Sequence, residues 1–157
     1  GPAYGGGVGL VACCDIAIAT FDAQFAFSEV RLGIIPGVIA PYVIAAIGER
    51  RARRYMLSGE RFSASEAYRI GLLHEIVPSD EELDNAIGEV VDDLLAGSPQ
   101  AHDQCKSLIR AVTGKPVTDQ LIEETSRRIA RARAGEEGRE GIAAFLENRR
   151  PWWFAGQ

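Results

Sequence analysis

Three consecutive glycines, Gly5, Gly6 and Gly7, stand directly before a short apolar run covering residues 8–14. Glycine lets the backbone turn sharply and approach another group closely, and the first amides of a helix point outward without intrahelical partners. A glycine turn that opens a helix therefore suits an anion or a developing oxyanion, helped by the helix dipole. The same triplet also fits a tight turn in which no side chain finds room. Behind it, residues 15–19 (DIAIA) alternate weakly and read as a buried strand. The expected order is turn, short helix, strand.

A dinucleotide reading has to be weighed, because residues 7–12 (GVGLVA) match G-x-G-x-x-A and Glu29 lies 20 residues past Gly9. The context is wrong for it. No strand is expected ahead of the glycines, and only about seven residues separate them from residue 15, too few for a crossover helix. Glu29 itself closes the apolar stretch FAFSEV at residues 25–30. Burial there would suit it to general acid–base work; pairing with Arg31 would make it an ordinary surface carboxylate.

Residues 25–28 and 32–35 are further short strand candidates, the second closed by the turn dipeptide Pro36-Gly37. From about residue 50 the composition changes, and charge recurs at helical spacing. Helices are expected over residues 40–47 and 50–57, parted by Gly48. Ser63 to Glu66 forms a capping box that starts another, ended near Gly71. A short strand is expected at residues 74–77, before Pro78. Leu83, Ile87, Val90 and Leu94 fall on one face, and Ser98-Pro99 supplies a cap and an N1 proline for a helix carrying Cys105, Leu108 and Val112. Leu121, Thr125 and Ile129 mark one more stripe, and Ile142, Phe145 and Leu146 a last short helix.

At 157 residues, 46% hydrophobic and 25% charged, the chain has ordinary globular composition, enough for one domain or part of one. Its net charge of -5 argues against a protein that coats nucleic acid. Cys13, Cys14 and Cys105 form neither a disulfide framework nor a metal spacing, so a reducing, cytoplasmic setting and no metal are expected. No apolar run reaches the length of a membrane span and no basic leader precedes the glycines, which leads us to expect a soluble chain with no membrane partner. The start at Gly1-Pro2, without methionine, suggests a processed, tagged or truncated sequence.

Arginines crowd at residues 50–54 and 127–133. They could clamp phosphate or RNA, or simply form solvated helix faces among interleaved glutamates. His74 and His102 have no partner at motif spacing and read as structural. Trp152, Trp153 and Phe154 fit either a docking patch for a neighbouring subunit or a final core plug.

Taken together, GPAYGGG at residues 1–7, CDIAIA at 14–19, FSEVRLGIIP at 27–36, LSGERFSA at 57–64, AYRIGLL at 67–73 and EGIAAFLE at 140–147 resemble the enoyl-CoA hydratase/isomerase, or crotonase, family in order and spacing. The resemblance covers essentially the whole chain. It implies an α/β fold: the C-terminal portion of a crotonase-like ββα spiral over residues 1–60, carrying the oxyanion glycines and Glu29, then a helical trimerisation region over 61–157. It also implies that about the first hundred residues of a usual member are not in this sequence, so that the chain by itself would not complete its oxyanion hole. The run FSEVRLG, with APYV at 40–43 and AIGERRARRY at 46–55, looks most like bacterial members of methylglutaconyl-CoA hydratase type.

The resemblance further implies catalytic roles for Gly6, whose amide would hold the thioester oxygen as it becomes an enolate, and for Glu29, which would move the proton. Gly5, Gly7, Gly9, Pro36, Gly37 and Phe145 are implied to line the substrate, Phe145 near an adenine ring. The substrate would be an acyl-CoA, coenzyme A being part of it and no separate cofactor being needed, and the assembly a homotrimer or hexamer. The sequence departs from the pattern in two places. Typical hydratases carry a second glutamate where this chain has Gly9, which favours isomerisation of a Δ3 to a Δ2 double bond over hydration; the closer likeness to hydratases favours hydration. Asn148 stands where many members place a phosphate-binding lysine, with Arg149 or Arg150 as substitutes. A non-catalytic or RNA-binding protein on the same scaffold is the remaining alternative.

Overall fold

Strand β1, Ala3–Tyr4, leads straight into helix α1, Gly6–Cys13, in the computed structural model, which describes residues 1–154. A strand ahead of the glycines was not expected. Two residues carry no readable period, and β1 exists because it pairs in parallel with β3, Gln24–Ala26, in the register Ala3 to Phe25 and Tyr4 to Ala26. Strand β4, Phe62–Ser63, adds to the other edge of β3 in antiparallel sense. A second, two-stranded parallel sheet joins β2, Ile18–Thr20, to β5, Glu75–Val77.

The chain divides into two units, Gly1–Glu89 and a second that begins at Val90. In the first, helices α2 (Ala40–Ile47), α3 (Glu49–Ser58) and α4 (Ala64–Ile70) follow the strands. α2 carries a proline in its first turn, where the absent amide costs nothing. Their buried residues, Val43, Ile47, Tyr55 and Ile70, close on Val8, Phe25, Phe27 and Phe62. Phe62 is the hub of an aromatic group, with ring centroids 4.4 Å from Tyr55, 5.7 Å from Phe25 and 6.0 Å from Phe27. Such tilted and offset rings gain more than their buried area alone supplies.

Residues 32–35 are not the strand their apolar character suggests. A 3-10 turn occupies Glu29–Leu32 and ends at Gly33, whose φ of 73° lies in the left-handed region and breaks an extended path. Leu32, Ile34 and Ile35 are consequently exposed.

Helix α5, Asp80–Ala96, contains the division between the units. The second unit continues with α6 (Pro99–Val112), α7 (Asp119–Ala134), α8 (Glu136–Leu146) and a 3-10 turn at Trp152–Phe154. Ser98 and Thr118 cap α6 and α7, their hydroxyls accepting from the amides of Ala101 at 3.1 Å and Leu121 at 3.2 Å. Glu137, buried in the first turn of α8, accepts from the Ser98 hydroxyl and from the Gln100 amide at 2.9 Å. It therefore places a carboxylate against the N-terminus of α6, where the dipole favours it. Trp152 and Trp153 meet edge to face, and the Trp153 indole donates to the carbonyl of Ala96 at 3.3 Å. Among the described residues no helix is long and apolar enough to cross a membrane.

Candidate functional site

The glycine turn is anchored from both sides. The Gly5 amide donates to the carbonyl of Ala26 at 2.9 Å, tying the end of β1 to β3, and the Gly5 carbonyl accepts from Val8 at 3.0 Å, opening α1. The amides of Gly6 and Gly7 precede those first helical bonds, so they belong to the outward-pointing set of the helix N-terminus. Gly6 is exposed, and a β-carbon built on it would meet nothing within 4 Å. The space beside its α-carbon is therefore open.

Glu29 sits at the first position of the 3-10 turn that follows β3. Because β3 lies beside β1, that turn brings the carboxylate back to the start of α1. A β-carbon on Gly5 would stand 3.1 Å from Glu29 Oε1, and Gly5 itself adopts φ 51°, ψ -121°, which only glycine holds without strain. Glu29 Oε2 is buried and makes no hydrogen bond. Buried carboxylate oxygens are normally satisfied, so an orphaned one marks a group whose partner is supplied from outside the chain or whose cost is tolerated for function. Arg31, the partner that an ordinary surface role would require, turns away: its Nε lies 3.0 Å from where a Gly59 β-carbon would be.

Gly9, one turn beyond Gly5, is buried. Its missing side chain makes room for Ile39, whose Cγ2 lies 2.1 Å from the position of a Gly9 β-carbon. Ile39 is a residue that sequence reasoning missed; a contact across 30 positions follows no period, and only the structure reveals it. Pro36 and Gly37 lie in the loop leading to Ile39, where the Pro36 carbonyl accepts from Ala40 at 3.0 Å and that of Ile35 from Gly37 at 2.8 Å. Glu29 and Gly5, Gly6 and Gly7 are thus brought together at one end of α1. Phe145 is in the second unit, on α8, and is 81% exposed.

The remaining sequence candidates are mostly engaged elsewhere. Arg53 pairs with Glu49 at 2.7 Å, Arg54 with Glu60 at 2.8 Å, and Arg51 reaches the carbonyls of Ile47 and Ile70. This weakens the case for a free arginine clamp on RNA. Arg149 is held by Glu140 at 2.6 Å and by Glu147 at 2.6 Å, which raises its pKa further and removes it as a free phosphate ligand. Arg150 stacks over Phe154 at 4.5 Å. His74 accepts from the Ala17 amide at 3.1 Å and His102 contacts the Leu94 carbonyl at 2.8 Å, both structural roles. Among the described residues no group of three metal-ligating side chains forms.

A family model described as enoyl-CoA hydratase/isomerase matches residues 1–156. An enoyl-CoA hydratase of Alternaria alternata is 35% identical over 155 residues, covering 98% of this chain and 51% of that protein. Among solved structures, an enoyl-CoA hydratase from Shewanella pealeana aligns with a TM-score of 0.92 at 47% identity, covering 98% of this chain and 57% of that one. A Legionella pneumophila structure assigned to the enoyl-CoA hydratase/isomerase (crotonase) group gives a TM-score of 0.91 at 43% identity, covering 98% of this chain and 59% of that one. The chain spans about half the length of the curated relatives it matches.

Proposed function

The chain belongs to the enoyl-CoA hydratase/isomerase family and has the crotonase fold, and from that premise we propose that the whole protein hydrates a 2-enoyl-CoA thioester, of methylglutaconyl type, through an enolate intermediate. The observation that carries this reading is the Glu29 carboxylate, one oxygen buried without a hydrogen bond, held beside the glycine turn that opens α1. In this reading the thioester carbonyl oxygen accepts from the Gly6 amide, and the bond strengthens as negative charge grows on that oxygen. One such donor lowers the barrier by about 3 kcal/mol. Glu29 takes a proton from water as the water oxygen bonds to C3, the electron pair of the double bond moving onto the carbonyl oxygen. Protonated Glu29 then returns the proton to C2 as the enolate collapses. Water is added in sum and Glu29 is regenerated.

A second reading rests on Gly9. With hydrogen in place of a side chain there, the turn beyond Gly5 offers no further carboxylate, and one carboxylate suffices to carry a proton between C2 and C4 of a 3-enoyl thioester. The product is then the 2-enoyl isomer. In both readings coenzyme A is part of the substrate and the active assembly is a homotrimer or hexamer.

The test uses the full-length protein with 2-enoyl- and 3-enoyl-CoA substrates in heavy-oxygen water. Heavy oxygen is expected in the product of the wild type, and Glu29→Gln is expected to lower kcat by about 100-fold or more. Double-bond migration without oxygen uptake would transfer the case to isomerisation, and full activity of Glu29→Gln would remove Glu29 from both.

A further inference from the structure

Gly5, the N-cap of α1, and Gly9, whose amide lies 3.4 Å from the Gly5 carbonyl, are two points one turn apart along the chain. At the first point stands the Glu29 carboxylate; at the second stands the Ile39 side chain. The two contacts differ in kind. A β-carbon at position 5 would meet the far end of a flexible side chain, with Glu29 Oε1 at 3.1 Å. At position 9 it would meet Ile39 Cγ2 at 2.1 Å and Ile39 Cβ at 2.6 Å. The Ile39 Cβ is fixed to the backbone and cannot swing away, and a β-branched side chain has few rotamers to choose from.

The backbone at Ile39 is itself held. It is the residue from which α2 starts, its carbonyl accepts from Tyr42 at 3.1 Å and Val43 at 3.0 Å, and its side chain is 9% exposed within the core cluster. Hydrocarbon therefore occupies the place that any side chain from position 9 would need. Glycine at 9 and isoleucine at 39 are a matched pair: neither a larger residue at the first position nor a retained isoleucine at the second is compatible with the other changing alone.

We propose that Ile39 is a specificity-determining residue, which keeps a second carboxylate from entering this site at position 9 by filling the space that such a side chain would need. The proposal rests on the assignment of Glu29 as proton carrier. Its consequence is that a second group able to hold or deprotonate water is excluded from position 9 by volume. The partition of an enolate between water loss or gain and proton migration then depends on residue 39.

Two measurements on the full-length protein test this. The first is a thermal cycle over Gly9→Ala and Ile39→Gly, the second change removing the β-carbon as well as the branch. Gly9→Ala is expected to lower Tm by roughly 5 °C when Ile39 is present and to be nearly neutral in the Ile39→Gly background. Equal losses in the two backgrounds would overturn the pairing, whatever the reaction proves to be. The second compares the wild type with the double variant Gly9→Glu/Ile39→Gly, reading heavy-oxygen uptake against deuterium migration between C2 and C4. The double variant is expected to raise the ratio of uptake to migration at least about tenfold, and Gly9→Glu alone to lose most folded protein. An unchanged ratio in a folded double variant, or a stable and fully active Gly9→Glu single variant, would overturn the specificity role. Full activity of Glu29→Gln would instead defeat the underlying reading and leave the thermal coupling standing.

Discussion

Gly5 and Gly6 are adjacent, chemically identical, and constrained in opposite ways. Gly5 combines a positive φ of 51° with a carboxylate oxygen 3.1 Å from its absent β-carbon, whereas Gly6 has open space around it. Gly5→Ala should therefore cost about 1–3 kcal/mol in urea unfolding and displace Glu29. Gly6→Ala should leave stability within about 1 kcal/mol, the residue losing only the best of helix-start freedoms. If Gly6→Ala nonetheless abolishes turnover, its methyl group obstructs the ligand oxygen; Gly6→Pro, which removes the amide at the first position of α1, should abolish turnover, and full turnover of Gly6→Pro would show that this amide is not the donor. The glycines were legible from sequence because a triplet before an apolar run has few structural uses. Glu29 was half legible: its position at the end of an apolar strand was visible, but whether Arg31 would neutralise it was not. Ile39 was illegible, since nothing in a run of small and apolar residues says which of them will meet a glycine across the core.

The helices were largely written in their caps. Ser63 and Ser98 each accept from the amide three residues on, as the sequence led us to expect, and Thr118, which it did not single out, does the same. The box at α4 is only half closed, however. The Ser63 hydroxyl takes the Glu66 amide at 3.2 Å, but the Glu66 carboxylate is engaged by Arg69 at 2.6 Å and by the Tyr55 hydroxyl. These two donors, Arg69 foremost, hold the Glu66 carboxyl down at about 2, against a usual value of 4.5. A carboxyl lowered in the folded state adds stability above its unfolded value, and that stability fades as pH falls from about 4.5 toward 2. The Tm gap between wild type and Glu66→Gln should therefore be widest near neutrality and narrow through that window. A gap independent of pH would show that the pair contributes nothing through charge. The short strands were harder to read than the helices, because β1 and β4 are two residues long and exist only through partners more than twenty positions away. Residues 32–35 misled for the complementary reason: β-branched composition suggested a strand, and a single left-handed glycine overruled it.

Across the whole molecule, each unit carries a different kind of information. The first holds the glycine turn and Glu29. The second, from Val90 onward, leaves large apolar side chains in solvent, including Ile109, Ile122, Ile129, Phe145 and Leu146. Exposed apolar residues in this number are consistent with the proposed homotrimer or hexamer. Ile122 and Ile129 lie seven residues apart on α7, hence on one stripe, and are 52% and 59% exposed. Light scattering should find the full-length protein as a trimer or hexamer, and Ile122→Glu/Ile129→Glu should shift it to smaller species while keeping helical content. An unshifted mass would place the contact elsewhere or remove it. The aromatic residues of the tail add one more consequence. Both tryptophans of the sequence, Trp152 and Trp153, are in the second unit, and all four tyrosines, Tyr4, Tyr42, Tyr55 and Tyr68, are in the first. Selective excitation of the indoles thus watches one unit melt, and the tyrosine absorbance watches the other. Coincident curves from the two chromophores would mean that the units lose their structure as one cooperative body; separated curves would mean that each melts on its own.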